Sequence, residues 1–436
     1  MHSAILPISS LFVAISLLSV GYGLLMSLVG IRLQEFGASQ LVTGVVNSTF
    51  FLGAIVSSLS AHKIVSRVGH IRSFGVFAAL LTFATLAHSL NVDPLSWAFF
   101  RGVSGFAFYS MLLIIESWIN EKTDSAHRSQ VLSIYTVIFY LATSSGQLML
   151  NIDDETGLSL FVLAAMFIVI SLLPVAMTRV REPELITTDS VSLPKLYKVA
   201  KLATAASFAG GLLVGGFFTM APVFMKNQGF VDGDVSYFMS IALIGGLLSQ
   251  WPIGWISDRL GRKLAILYVA FFAFIVSGIM YFLADFAYAL FVGAFFLGGS
   301  IFAIYPLSVA RANDTTDEDM NAVEISRSLL MTYGIGSFMS PLIIGGVMGY
   351  IGGSSIFMVF GIIGLFLGLY SIFKDRVPFD ERSVYVNVPS ASGLVAAEFD
   401  PRQDDEWVEE QKESIHIEES YSENTSETAK DEEKNG

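Results

Sequence analysis

The sequence predicts an all-α integral membrane fold, with twelve transmembrane helices arranged as two repeated groups of six. Three observations lead to this prediction. Hydrophobic residues make up 53% of the chain and charged residues only 14%, whereas soluble domains carry roughly 25% charged residues. The hydrophobic residues fall into stretches of the length that a membrane helix needs, about 20 residues. Features of the second group of stretches repeat those of the first at a nearly constant spacing.

Twelve apolar stretches can be placed along the chain. The first has neither a basic segment before it nor a cleavage-like site after it, so we interpret it as a span rather than as a signal peptide. The predicted spans are residues 5–29, 41–62, 73–91, 96–119, 130–150, 158–177, 203–225, 235–256, 264–284, 287–311, 323–348 and 353–373.

The longest polar interruption, residues 178–202, lies between the sixth and seventh spans. It divides the chain into a first six-helix half (1–177), a linker, a second six-helix half (203–374) and an acidic tail (375–436). The end of the linker, residues 193–202, is either a short basic amphipathic helix on the membrane surface or a plain connection.

Lys and Arg are concentrated in the connections on one side of the predicted bundle. The linker contains five of them, and the connections after the second, fourth and eighth spans contain two or three each. The opposite side offers only Arg32 and Lys226. Because cytoplasmic loops are enriched in Lys and Arg, both termini and the linker are predicted to be cytoplasmic, with residues 30–40 and 226–234 outside.

The net charge of −13 belongs almost entirely to the tail. Residues 375–436 hold 18 acidic and 6 basic side chains, which leaves 20 acidic and 19 basic side chains in residues 1–374. The membrane body is therefore nearly neutral, and it has no basic patch that could bind nucleic acid. From residue 401 onward the composition is that of a solvated, disordered segment, in which Trp407 and Ile415 could instead dock a partner.

The composition also argues against several kinds of chemistry. The chain has no cysteine, which excludes disulfides and thiolate metal sites, and its six histidines lack ligand-like spacing. No H-E-x-x-H, Walker A or G-x-S-x-G pattern occurs. We therefore expect neither an enzyme nor a bound metal or cofactor.

A dense charged segment, "GWISDRLGRK" at residues 254–263, follows the eighth span, and "HKIVSRVGHI" at 62–71 follows the second. An offset of 192 residues aligns Gly69 with Gly261 and Arg67 with Arg259. Three further pairs match near an offset of 193: Asn120 with Asn313, Tyr140 with Tyr333, and Ser144 with Ser337. Repeated halves around a site at the membrane midplane are typical of transporters.

At these residues the chain resembles the major facilitator superfamily, over roughly residues 5–374. Its cytoplasmic loop signature is similar to a set of residues in the charged segment, followed by Leu267: Gly254, Asp258, Arg259, Gly261, Arg262 and Lys263. Arg101 and Gly105 resemble its fourth-helix arginine motif. "ESWIN" (116–120) and "VNVPSASGLVAAEFDPR" (386–402) resemble an uncharacterised bacterial branch. The resemblance implies a monomeric secondary active transporter of the bacterial inner membrane, which moves a small solute by alternating access.

The same resemblance implies a cytoplasmic gate at the loop signature. Gly261 permits a tight turn, and Asp258 can pair with the nearby basic residues or face the positive N-terminus of the fifth span. The first copy departs from the signature because Ser66 replaces the acid, with His62 and His70 at the glycine and arginine positions. The alternative is that these loops set topology alone. The predicted gate residues are Gly254, Asp258, Arg259, Gly261, Arg262, Lys263, Arg67 and Gly69.

Placing an ionisable side chain inside the bilayer costs free energy, so such residues usually have a function. We therefore regard them as candidates for proton coupling. Arg101 lies near the outer end of the fourth span, where it serves coupling or solute binding, or else extends to the headgroups. Glu116 lies toward the cytoplasmic end, where it carries a proton or forms an ion pair with Lys122 or Arg128. Glu324 and Arg327 can pair on one face of the eleventh span, at an inner gate or at the surface.

In the superfamily the first, fourth, seventh and tenth spans line the solute cavity. On these spans the candidate lining residues are Tyr22, Tyr109, Phe218 and Tyr305, and the fifth and eleventh spans add Gln147 and Tyr333. An aromatic cavity with few charges favours an amphipathic or neutral solute, exported in exchange for protons, although most aromatic residues in such a chain serve packing. "GIGSFMSPLIIGG" (334–346) predicts a bend or close helix packing. The rival function is a membrane sensor or scaffold that signals through the acidic tail.

Overall fold

The computed structural model describes residues 8–90, 92–123, 127–152, 159–177, 193–315 and 322–378. In these residues the regular secondary structure is helical, and twelve helices are long and apolar enough to cross a membrane. The predicted fold class, twelve helices in two groups of six, is confirmed. The predicted role of the tail from residue 401 onward falls outside the described residues.

The helices run in the predicted order. The first half contains α1 (Ser9–Glu35), α2 (Gln40–Val68), α3 (His70–Ala87), α4 (Pro94–Lys122), α5 (Arg128–Leu148) and α6 (Ser159–Ile170, continued by Leu172–Ala176). The second half contains α7 (Lys201–Asn227), α8 (Asp232–Leu260), α9 (Arg262–Phe282), α10 (Ala287–Asn313), α11 (Ala322–Ile351) and α12 (Ser355–Ile372). A short linker helix, Leu193–Val199, precedes α7.

The turns after α2 and α8 have the same backbone conformation, as their 192-residue offset predicts. Gly69 has φ 92° and Gly261 has φ 90°, values that side-chain-bearing residues rarely adopt. Each glycine ends one helix and begins the next without a connecting loop. We call the end of the bundle that carries these two turns the basic-loop end, and the opposite end the far end.

Close helix packing repeats between the halves with the same offset. In the first half, a Cβ atom at Gly53 or Gly105 would overlap the backbone of α4 or α2, at Gly102 and Phe50 respectively. In the second half, Gly245 and Gly298 stand in the same relation to the backbones of α10 and α8. Small residues allow such close approach between membrane helices. The sequence repeat therefore corresponds to a repeated helix crossing.

Four long helices of the second half contain internal prolines, whereas in the described part of the first half a proline inside a helix is found only in the short second piece of α6, at Pro174. Pro222, Pro252, Pro306 and Pro341 lie inside α7, α8, α10 and α11. In α1 to α5 the only proline is Pro94, at the first position of α4, where proline replaces no helical hydrogen bond.

Several described helices extend past the predicted spans, and α1 is an example. Arg32 was assigned to the external loop 30–40, but α1 continues to Glu35 and Arg32 lies in its last turn. The side chain is 8% exposed, and its Nη1 atom lies 2.5 Å from Oε2 of Glu35. Because this ion pair compensates the charge, the helix extends past the apolar stretch from which its end was predicted.

Candidate functional site

A cluster of aromatic rings surrounds Tyr22, midway along α1. The Tyr22 ring stacks on Phe108 with centroids 4.1 Å apart and an interplanar angle of 9°. Phe50 of α2 and Phe139 of α5 lie 6.1 and 6.2 Å from Tyr22. The predicted residue Tyr109 lies next to this group, 6.0 Å from Phe50. Four helices of the first half thus contribute rings to one cluster.

The cluster continues into the second half. The predicted residue Phe218 of α7 lies 6.1 Å from Tyr22, and Phe302 of α10 lies 5.6 Å from Phe218. Phe302 also contacts Tyr140 of α5, in the first half, in an edge-to-face arrangement with ring centroids 5.6 Å apart. These rings therefore lie at the interface of the two halves.

The remaining predicted cavity residues form two smaller groups. Tyr305 and Tyr333 are in contact with centroids 4.8 Å apart. Gln147 is fully buried, and its Oε1 accepts a 2.7 Å hydrogen bond from Ser27. All six predicted cavity residues are buried, which is compatible with a cavity wall and with packing.

Arg101 is fully buried on the far-end side of the aromatic cluster, so the alternative that it extends to the headgroups was wrong. Its Nη2 donates to Oδ1 of Asn47 at 3.1 Å and contacts the sulfur of Met26 at 3.5 Å. The guanidinium lies 4.9 Å from the centroid of Phe50. Among the described residues, Nε and Nη1 have no hydrogen-bond partner. A buried guanidinium of this kind has donors to offer a ligand.

Asn47 connects this guanidinium to the second half. Its Nδ2 donates to the backbone oxygen of Thr219 of α7 at 3.3 Å. Asn47 was not among the residues predicted from the sequence. A signal was present, because an amide inside an apolar span requires hydrogen-bond partners.

Glu116 is also fully buried, and its predicted alternative role, an ion pair with Lys122 or Arg128, stays a prediction because the side chain of Arg128 is not described. Its Oε1 accepts a 2.6 Å hydrogen bond from the hydroxyl of Tyr135 on α5. Glu116 lies toward the basic-loop end of α4, on the other side of the aromatic cluster from Arg101. The two candidate coupling residues are therefore separated along the same helix.

The two halves are in contact at the far end. A Cβ atom at Gly44 of α2 would overlap the backbone oxygen of Pro341 of α11, and Gly345 packs as closely on Gln40. Asn151, after α5, lies 2.5 Å from Ser236 of α8. Lys226 of α7 lies 3.4 Å from Glu35 of α1. This half-exposed ion pair contributes little, about 0–1 kcal/mol, so packing accounts for most of the closure.

At the basic-loop end, the charged segment 254–263 forms ion pairs and hydrogen bonds that join helices of the second half. Arg262 is 2% exposed. Its Nη1 atom lies 2.6 Å from Oδ1 of Asp258. Its Nε atom lies 3.6 Å from Oδ2 of Asp314, at the end of α10. Lys263 donates to the backbone oxygen of Ile372 in α12 at 3.1 Å. The partner of Asp258 is thus a basic residue of its own segment, one of the two predicted alternatives.

The other alternative, a contact with the start of α5, falls outside the description, because the side chains of Arg128 and Ser129 are not described. The same holds for Glu324. Arg327, its predicted partner, interacts electrostatically with His62 of the first half.

The remaining gate residues divide between the two copies. In the second copy, Arg259 packs over the Trp255 ring at 4.1 Å. In the first copy Ser66 and Arg67 are exposed, and Ser66 donates to the backbone oxygen of Lys63 at 3.1 Å. Among the described residues, Ser66 and Arg67 therefore do not reproduce the pairing of Asp258 with Arg262.

Comparison with known proteins gives a consistent result. The Major Facilitator Superfamily profile matches residues 11–326. The chain is 28% identical over 337 residues to an uncharacterized MFS-type transporter of Yersinia enterocolitica, and 27% identical to the uncharacterized MFS-type transporter YcaD of Escherichia coli. Each alignment covers 77% of this chain and 87% of the relative.

Among solved structures, the chain is similar to the nucleoside transporter NupG, with a TM-score of 0.67 and 14% sequence identity. The match covers 85% of this chain and 99% of that chain. At this level of identity the similarity concerns the fold alone.

Proposed function

The chain belongs to the Major Facilitator Superfamily, and on that premise we propose that it exports a small amphipathic or neutral solute across the bacterial inner membrane, in exchange for protons. The resemblance to an uncharacterised bacterial branch is confirmed by the relatives from Yersinia and Escherichia. Transport proceeds by alternating access and is carried out by a monomer. The basic-loop end and both termini face the cytoplasm, a placement supported by the distribution of Lys and Arg.

The aromatic cluster at the interface of the halves is the observation that carries the proposal. Tyr22 and Phe218 come from opposite halves and lie 6.1 Å apart. Ring pairs prefer offset-stacked or edge-to-face geometry and contribute about 0.5–1.5 kcal/mol each beyond burial. A flat, largely apolar solute can replace such contacts with similar ones as the halves separate. The cluster contains no carboxylate or ammonium group, which favours a solute without strong charge.

Arg101 specifies a hydrogen-bond acceptor on the solute. Desolvation of a charged group such as the Arg101 guanidinium costs several kcal/mol. The cation–π contact with Phe50 offsets about 2 kcal/mol of this desolvation free energy when the pair is desolvated. A solute carbonyl or ring nitrogen that accepts from Nε or Nη1 would compensate the charge further. The solute that fits best therefore combines an aromatic body with acceptor atoms at one edge.

Asn47 connects solute binding to the far end. The amide receives a hydrogen bond from Arg101 and donates one to Thr219 across the interface. A solute that draws the guanidinium away from Asn47 weakens this chain of hydrogen bonds. The far end then opens more readily when solute is bound, which is the coupling that export requires.

Glu116 carries the exchanged proton in this proposal. The carboxyl group is fully buried and accepts a 2.6 Å hydrogen bond from the Tyr135 hydroxyl, and buried carboxyl groups at membrane depth commonly serve in proton relays. Because Glu116 lies near the basic-loop end, it exchanges its proton with the cytoplasm in the state that is open on that side.

A ligand screen by thermal unfolding of the purified full-length protein tests this function. A solute present at about 100 times its Kd raises the unfolding free energy by about 2.7 kcal/mol. The panel compares flat heteroaromatic compounds, including nucleosides, with sugars and amino acids. Tyr22→Leu should abolish the shift, whereas Phe272→Leu, on the outer surface of α9, should preserve it. Binding of sugars alone, or a shift retained in Tyr22→Leu, would contradict the proposal.

The sensor or scaffold function remains the second candidate, because the tail holds most of the net charge. Removal of residues 401–436 separates the two functions. Transport that continues at the normal rate after this deletion supports the transporter, and a phenotype that is lost while solute binding is kept supports the sensor.

A further inference from the structure

A pocket of about 460 Å³ lies at the basic-loop end of the second half, away from the aromatic cluster. It forms where the linker helix meets the start of α7 and where α10 and α12 end. Five basic side chains contribute to its wall: Lys198, Lys201, Arg311, Lys374 and Arg376. These residues come from three separate segments of the chain, so the fold and not the local sequence brings them together.

The pocket is electropositive. Its two acidic residues are Asp314 and Asp375, and the carboxylate of Asp314 lies 3.6 Å from the guanidinium of Arg262, outside the pocket wall. The backbone oxygen of Asp375 accepts a 2.9 Å hydrogen bond from Arg311, which holds the segment after α12 against α10. With five cations against two carboxylates, the pocket suits an anion.

The first turn of α7 adds to the positive potential. Lys201, Leu202 and Ala203 line the pocket, and Ala200 before them supplies no side-chain cap. No acidic residue occupies this turn. The N–H groups and the positive end of the helix dipole therefore reinforce the basic side chains.

Apolar side chains adjoin the pocket on the outer surface of the bundle. Ile372 and Phe373, directly before Lys374, are 47% and 81% exposed. The Lys374 ammonium lies 4.3 Å from the centroid of the Tyr370 ring, and Tyr370 lies close to Tyr197 of the linker helix. An anion that binds here can therefore carry hydrocarbon chains along the exposed end of α12.

We propose that this pocket binds the phosphate headgroup of an anionic membrane lipid, whose acyl chains lie against Ile372 and Phe373. Basic pockets at the cytoplasmic ends of membrane helices are suited to such headgroups. By bridging the linker helix, α10 and α12, the lipid would stabilise the second half. This inference does not depend on which solute the protein carries.

The chain's own acidic tail is the competing occupant. Its first four residues, 375–378, line the pocket, and residues 375–436 hold 18 acidic side chains. The exposed apolar residues beside the pocket favour the lipid, because a solvated acidic segment would leave them uncovered.

Thermal unfolding of the full-length protein in mixed micelles tests the lipid site. The probes are phosphatidylglycerol, phosphatidylcholine and inorganic phosphate. Only phosphatidylglycerol should raise the unfolding temperature of the parent protein. Lys374→Gln with Arg376→Gln should weaken its apparent affinity by roughly 30-fold, since each basic residue near an anionic surface contributes about a fivefold factor. Lys63→Gln with Arg72→Gln, two exposed positions at the same end, remove equal charge outside the pocket and should have no such effect.

Each other outcome overturns the proposal. Equal losses in the two double variants would mean general attraction to the surface charge. A shift produced by inorganic phosphate alone would mean a site for free anions. A phosphatidylglycerol effect seen only after deletion of residues 401–436 would mean that the tail is the occupant in the intact protein. No phosphatidylglycerol effect in either form would mean that the pocket holds no lipid.

Discussion

Replacement of Gly44 by alanine should open the far end without unfolding either half. At this position α2 and α11 touch through their backbones. The added Cβ atom would overlap the backbone oxygen of Pro341 and would lie 3.1 Å from its carbonyl carbon and 3.3 Å from Cα of Gly345. Carbon atoms pack at about 3.5–4.0 Å, so the two helices must move apart. Because they belong to opposite halves, the least disruptive relief is separation of the halves.

The size of the effect follows from the cost of overpacking. Inserting one methyl group into a well-packed contact costs about 1–3 kcal/mol. The state with a closed far end bears this cost, whereas a state in which α2 and α11 have separated there does not. The ratio of far-end-open to far-end-closed molecules should therefore rise by about 5- to 150-fold.

Spin-label distances measure this shift in a chain that has no native cysteine. Labels at positions 95 and 288, where the native Leu95 and Tyr288 are 81% and 87% exposed at the starts of α4 and α10, report on the far end. Labels at Val68 and Leu260 report on the basic-loop end. In Gly44→Ala the population with a long 95–288 distance should increase, and the 68–260 distance should shorten.

Gly105→Ala is the matched control, because its Cβ atom would overlap Phe50 within the first half. This variant should lower the unfolding temperature and leave both distance distributions unchanged. The reasoning is refuted if Gly44→Ala keeps the parent distribution, or if Gly105→Ala produces the same shift. In either case the far-end contact of α2 with α11 would not control access.

Three further changes probe the coupling, the gate and the topology. Glu116→Gln should retain solute binding but lose transport driven by a pH gradient. Tyr135→Phe keeps the carboxyl group and should therefore only shift the pH dependence of the transport rate. Normal proton-driven transport in Glu116→Gln would remove this residue from the mechanism. Asp258→Asn tests the predicted contact of this carboxylate with the positive N-terminus of α5, which contributes about 0.3–2 kcal/mol; it should lengthen the 68–260 distance and slow transport, and an unchanged distance would leave the loop a role in topology alone. An impermeant thiol reagent applied to intact cells should label Tyr288→Cys and not Ser190→Cys, and the reverse pattern would invert the proposed orientation.

The helices and their repeat could be predicted because they depend on local properties of the chain. The length of each apolar stretch fixes a span, and the shared Gly69 and Gly261 turns follow from glycine's access to positive φ. Small residues in 334–346 predicted a bend or close packing, and Gly345 does pack closely against α2. The error at Arg32 arose because the ion pair with Glu35 prolongs α1 beyond its apolar part.

The site was only partly predictable because its contacts join residues that are far apart in sequence. Buried Arg101 and Glu116 could be selected from their depth in α4, but the alternatives could be decided only by their neighbours. Asn47 meets Arg101 over 54 residues and Thr219 over 172 residues, and no local pattern encodes either distance. Arg262 was predicted to act with Asp258, four residues away, whereas its contact with Asp314 depends on where α10 ends.

The four internal prolines make the halves mechanically unequal although their helix crossings repeat. Pro222, Pro252, Pro306 and Pro341 each remove a backbone donor from the middle of a helix, and bends in long helices concentrate at such positions. The corresponding helices of the first half retain continuous hydrogen bonding. During a transport cycle we therefore expect bending to concentrate in α7, α8, α10 and α11 of the second half, and in the first half at the interruption of α6 before Pro174.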